Sequence, residues 1–111
     1  MIKAGLFQEL LECLEECKDK IVIVEGIKDK KALESLGFTD ISYINRQPLF
    51  KVVEILQKKE VIILTDLDRE GRKLYSRLKD ELNNRGVRVD DELRELLFKT
   101  ELRQIEGLRV Q

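Results

Sequence analysis

Ile21-Val22-Ile23-Val24-Glu25-Gly26 and Val61-Ile62-Ile63-Leu64-Thr65-Asp66-Leu67-Asp68 are the two stretches that decide the fold of this 111-residue chain. Each begins with an unbroken run of aliphatic residues and ends on acids. A short continuous apolar run bounded by charge and turn residues suits a strand buried on both faces. Such strands belong to parallel sheets covered by helices on either side.

Helix signals fill the intervals. Before the first run, Leu6, Phe7, Leu10, Leu11, Leu14 and Cys17 recur at spacings of three and four, with Glu9, Glu12, Glu15 and Glu16 between them, which predicts an amphipathic helix over 5–18. Residues 28–36 are helix-compatible and stop at Gly37, a residue suited to a left-handed C-terminal cap. DISYI at 40–44 alternates as a shorter strand. Pro48 suits the first turn of a helix whose apolar stripe is Leu49, Val52, Val53 and Leu56. Beyond Asp68 a long helix carries Leu74, Tyr75, Leu78 and Leu82 on one face and ends at Gly86. VRV at 87–89 is a final short strand, followed by a helix with Leu93, Leu96 and Leu97 and by a short turn, capped by Thr100, before Gly107. The expected fold is α/β, a three-layer α/β/α arrangement around a four-stranded, mainly parallel sheet, with an extra N-terminal helix. With no linker or repeat, one domain is expected over 1–111: an N-terminal helix (1–20), a core (21–90) and a C-terminal helical extension (91–111).

Composition removes several functional classes. An apolar content of 42% is too high for a disordered tail, and no run approaches the roughly 20 apolar residues that span a bilayer. The opening residues lack the apolar region of an export leader, so a cytoplasmic protein without a membrane role is expected. Twenty-one basic residues against 22 acidic ones give a net charge of -1, so any grip on a polyanion must be local. The charged fraction of 39% leans toward the ion-rich surfaces of heat-adapted proteins. Cys13 and Cys17 stand four apart on one predicted helix, read as reduced thiols, and serve better as buried filler than as half of a metal site, because the chain has no His and no third Cys.

In open α/β sheets, ligands bind beyond the carboxyl ends of the strands where strand order reverses. Glu25, Asp66 and Asp68 all lie there. If the first and third strands are neighbours, as in the order 2-1-3-4, the three carboxylates converge across the roughly 5 Å between adjacent strands. Their mutual repulsion calls for a cation, and hard oxygen donors with no Cys or His nearby favour Mg²⁺ or Mn²⁺. The plainer reading is that Asp68 only caps the helix that follows it. A receiver-type phosphoacceptor site is a poorer match, since it needs two consecutive acids after the first strand and a fifth strand.

Val24-Glu25-Gly26-Ile27-Lys28-Asp29, followed by Thr65-Asp66-Leu67-Asp68-Arg69-Glu70-Gly71, resembles the Toprim domain over residues 21 to about 90. That family carries a glutamate at the end of its first strand and a D-x-D at the end of its third. It occurs in topoisomerases, bacterial primases, nucleases, recombination mediators and a ribonuclease that matures ribosomal RNA. The resemblance implies a Rossmann-like sheet and a Mg²⁺-assisted (or Mn²⁺-assisted) reaction at a nucleic-acid phosphodiester. It makes Glu25 the general acid or base and also a metal ligand, with Asp66 and Asp68 holding the cation. Gly26 would allow close backbone approach, and Gly71 would relieve crowding at the start of a helix.

The chain departs from the larger members of that family. No separate domain offers a nucleophilic tyrosine, and both Tyr43 and Tyr75 read as packing residues. Lys28, Lys30 and Lys31 begin one helix and Arg69, Arg72 and Lys73 another, giving a cationic rim suited to phosphates, with Asn45 and Arg46 nearby. Several of these can equally be solvated helix faces. Two functions follow: a metal-dependent nuclease or phosphotransferase with RNA or DNA as partner, or a non-catalytic adaptor that works with partner proteins in a nucleic-acid complex.

Overall fold

A computed structural model describes residues 4–44 and 60–108. Helix α1 (Ala4–Cys17) leads into β1 (Ile21–Val24), α2 (Ile27–Ser35) and β2 (Ile41–Tyr43). The described chain resumes with β3 (Glu60–Ile63), α3 (Arg69–Asn84), β4 (Arg88–Val89), α4 (Glu92–Phe98) and a 3-10 turn (Ile105–Gly107). The helix expected from Pro48, together with Asn45 and Arg46, lies outside the described residues.

The strands form one sheet in the order β2-β1-β3-β4, and every pairing is parallel. Val22 lies opposite Ile41 and Ile62, while Val61 lies opposite Val89. The ladder continues one step past the strand ends, where Leu64 N–H donates to Ile23 O at 2.8 Å and Ile44 N–H to Val24 O at 3.0 Å.

Both faces of the sheet are buried, as its uninterrupted aliphatic strands require. Val22, Val24, Ile62 and Leu64 pack on one side with Leu10, Leu33, Leu93 and Leu97 from α1, α2 and α4. Ile23, Val61 and Ile63 face the other way, against Leu78 and Leu82 of α3. Burial of each of these side chains contributes roughly 1.5–3 kcal/mol, which outweighs the weak intrinsic preference of four-residue strands. Gly37 (φ 96°) and Gly86 (φ 77°) close α2 and α3 in the left-handed region, where a side chain is strained.

Helix α1 corrects the sequence reading in one respect. Leu10, Cys13 and Cys17 are buried, but Phe7 and Leu11 stand 50% and 45% exposed. The six apolar positions span too wide an arc for one contact, and α1 turns Leu10, Cys13 and Cys17 inward with half-buried Leu6 and Leu14 beside them, leaving Phe7 and Leu11 outside. The two thiols lie 3.8 Å apart, in contact but unbonded. Burial, followed by the neighbouring Cys17, pushes the Cys13 thiol up to about 12, so it stays protonated and acts as apolar filler.

Candidate active site at the carboxyl ends of β1 and β3

Because β1 and β3 are neighbours, the residues that follow them meet. Glu25 Oε2 accepts a hydrogen bond from the Asp66 backbone N–H at 2.6 Å. Asp68 lies two residues on, with buried Leu67 between. It is the N-cap of α3, and its Oδ1 accepts from Gly71 N–H at 2.8 Å. Asp66 Oδ1 accepts from Ile105 N–H at 2.8 Å, so the 3-10 turn near the chain's far end docks on this acid. Each of the three carboxylates thus gives one oxygen to a backbone donor, and a carboxylate has capacity for more.

Asp29 is a fourth acid here, one that the sequence does not single out as a site residue. It is buried, with Oδ2 accepting from Gly26 N–H at 3.1 Å and a further bond from the Glu106 backbone. Asp29 stands at the third position of α2 after the Gly26 cap, where acids often turn back to the open amides. That spacing was the available signal.

The electrostatics follow from this crowding. Burial pushes the Glu25 carboxyl above the usual carboxylate range, the Asp66 N–H pulls it back, and Asp66, Asp29 and Asp68 push it up again. Asp66 is raised first by burial, with the Ile105 N–H opposing and Asp68 and Glu106 adding. Asp29 is raised by burial and by Asp66. A cation beneath the site offsets part of this charge. Arg94 of α4, only 3% exposed, donates to Thr65 O at 2.7 Å, Asp66 O at 3.1 Å and Ile63 O at 3.3 Å. Its guanidinium lies 4.5 Å from the Tyr75 ring centre and 5.4 Å from that of Phe98. Burial lowers its pKa, yet a guanidinium stays charged in proteins. An Arg among leucines reads as a surface charge in one dimension, so nothing in its neighbourhood singles it out before the chain folds.

Gly71 meets its expectation directly. A Cβ there would lie 2.0 Å from Asp66 O and 2.5 Å from Asp66 C, so α3 can approach the acid loop only through a glycine. Gly26 differs. Its backbone is extended (φ -150°), and an added Cβ would meet nothing within 4 Å. Protein packing therefore makes no demand for glycine at 26.

Of the cationic rim, Lys28, Arg69, Arg72 and Lys73 are all exposed. Lys28 lines an open cleft of about 810 Å³ with Asp68, Arg103, Gln104 and Glu106. Lys73 pairs with Glu70 at 3.6 Å, and Lys30 sits 5.5 Å from the Tyr43 ring centre. Arg72 opens onto a different hollow, beside Tyr75 and Phe98. Tyr75 is held by Asp91 through its hydroxyl at 2.6 Å and by Lys79 at 3.1 Å, so it is tied into structure.

The fit to a cation rests on donor chemistry. Among the described residues, no three acidic, His or Cys side chains form a ready-made cage. Four crowded carboxylates and no soft donor nonetheless match Mg²⁺, which keeps several waters and takes one or two protein carboxylates together with substrate phosphate.

A Toprim domain model matches residues 20–91, the span that carries all four acids. The chain belongs to the Toprim family. A UPF0292 protein of Methanocaldococcus jannaschii is 37% identical over 113 residues, covering 92% of this chain and 88% of that one. A UPF0292 protein of Pyrococcus abyssi is 39% identical over 105 residues, covering 93% and 79%. A solved protein from Aquifex aeolicus superimposes with a TM-score of 0.80 at 30% identity, covering 90% of this Toprim chain and 95% of its own. Family membership supports a place in nucleic-acid processing. No described helix is long and apolar enough to cross a membrane.

Proposed function

We propose that this Toprim protein is a Mg²⁺-dependent nuclease or phosphotransferase acting on nucleic-acid phosphodiesters, as one folded unit in the cytoplasm. The observation that carries the reading is the hydrogen bond from Asp66 N–H to Glu25 Oε2 at 2.6 Å, which brings the acids of two strands into one site. Asp66 and Asp68 would hold the metal, with Glu25 beside it. When bound, Mg²⁺ would neutralise phosphoryl oxygens and orient the ester. Glu25, whose carboxyl is pushed up, is placed to relay a proton at its carboxylate oxygens. Lys28, Arg69, Arg72 and Lys73 would hold flanking phosphates, and the open space over Gly26 leaves room for a strand. Arg46 would add to this rim.

The adaptor reading keeps the acids but assigns them no chemistry. It draws support from the 3-10 turn, whose amides already occupy Asp66 and Asp29. Calorimetric titration with Mn²⁺ and Mg²⁺, native chain against Asp66→Asn/Asp68→Asn, separates the two when paired with incubation on labelled single- and double-stranded RNA and DNA. The enzyme reading expects metal binding that the double variant loses, and cleavage or joining of at least one substrate. Binding of nucleic acid without turnover across the panel would favour the adaptor.

A further inference from the structure

Beside the acid loop, on the α3–α4 side, lies a hollow of about 250 Å³ lined by Tyr75, Phe98, Arg94, Arg72, Ser76 and Glu95, with Asp91 behind. We propose that it is a subsite for one unpaired nucleobase of the strand whose phosphodiester lies at the acids, an inference that rests on the nucleic-acid reading above.

Four observations carry it. The lining joins two half-exposed aromatic rings to a guanidinium packed against both, the combination on which unstacked bases settle irrespective of sequence. The surface is held before any ligand arrives, since Tyr75 is pinned through Asp91 and Lys79 and Arg94 through three carbonyls. The charges suit a nucleotide: exposed Arg72 at the hollow's edge would pair with a phosphate, while exposed Glu95 would accept from a base amino group. The hollow is also tied to the acids, because the Arg94 guanidinium that lines it donates to Asp66 O and because Arg72 follows the Gly71 whose N–H caps onto Asp68. A ring face can take a base only when that base is unstacked from its neighbours, so the substrate class is single-stranded or locally opened nucleic acid.

The test is fluorescence anisotropy with labelled ten-nucleotide RNA and DNA strands, their abasic counterparts and the matching duplexes, in Mg²⁺. The native chain should bind base-containing strands about tenfold more tightly than abasic ones, the scale of one stacking contact. Phe98→Leu, which keeps apolar volume but removes the aromatic face, should abolish that preference while circular dichroism reports a folded protein. Phe98→Tyr should restore it. Equal affinity of the native chain for intact and abasic strands would overturn the subsite and leave the acid site's assignment standing. Failure to bind any strand or duplex would overturn that assignment and this inference together.

Discussion

The two ends of the sheet treat their acids in opposite ways. Toward the amino end, Lys20 lies between Glu60 (3.3 Å), the first residue of β3, and Asp90 (2.8 Å), which follows the short edge strand β4, and Arg88 approaches Glu60 at 3.9 Å. Lys20 holds the Asp90 carboxyl below its usual range. At the carboxyl end, buried Asp29 and half-buried Glu25 and Asp66 crowd one another, and all are raised. One end spends its charges on stability. The other keeps negative charge that its own backbone amides and Arg94 only partly answer.

The sharpest way to break this contrast is Arg94→Met. It leaves the carbonyls of Ile63, Thr65 and Asp66 without their buried donor and removes the charge beneath the acids, so a loss of about 3 kcal/mol is expected in urea unfolding. A loss of a few tenths would mean that water replaces the guanidinium and that the carboxyl end needs no cation from below.

Gly71→Ala should come next. The added Cβ meets backbone rather than a pliable side chain, so α3 or the Asp66 loop must move, at about 2 kcal/mol. Gly26→Ala is its control and should change stability by less than about 0.5 kcal/mol. Equal effects would contradict the packing described.

At the amino end, Lys20→Met should cost about 1 kcal/mol near neutrality. Since the folded Asp90 pKa is depressed, the pair's contribution is present above the unfolded carboxylate value and disappears as pH falls through the folded one. Native and variant midpoints should therefore converge in acid. The acids of the other end run the opposite way. Their folded pKa values are raised, so their contribution is complete below the unfolded value and is lost as pH rises through the folded one. Asp66→Asn, which keeps an oxygen for the Ile105 N–H, should flatten this loss in chelator. An unchanged slope above about pH 4 would show that Asp66 titrates normally.

How much of this the sequence disclosed depends on whether an interaction is local or distant. Ile21–Val24 and Val61–Leu64 revealed the central strands because burial on both faces leaves an unmistakable aliphatic run, whereas the order 2-1-3-4 entered only as a condition and is supplied by the pairing itself. Gly71 and Asp68 were legible because cap and close approach lie within three residues of each other. Arg94 was not, because its partners lie about 30 residues away and only the fold turns it inward. Nor was the docking of Ile105 and Glu106 on Asp66 and Asp29, since a backbone N–H has no residue signature. Phe7 and Leu11 were read too generously, as periodicity counts apolar residues without knowing how wide a face the partner offers.

The bond from Ile105 N–H to Asp66, with that from Leu67 N–H to Arg103 O at 2.7 Å, has a consequence for biosynthesis. The acids are made early and mid-way along the chain, but the amides that seat Asp66 and Asp29 are among the last described residues to leave the ribosome. A nascent chain can assemble its whole sheet and still lack a finished acid end.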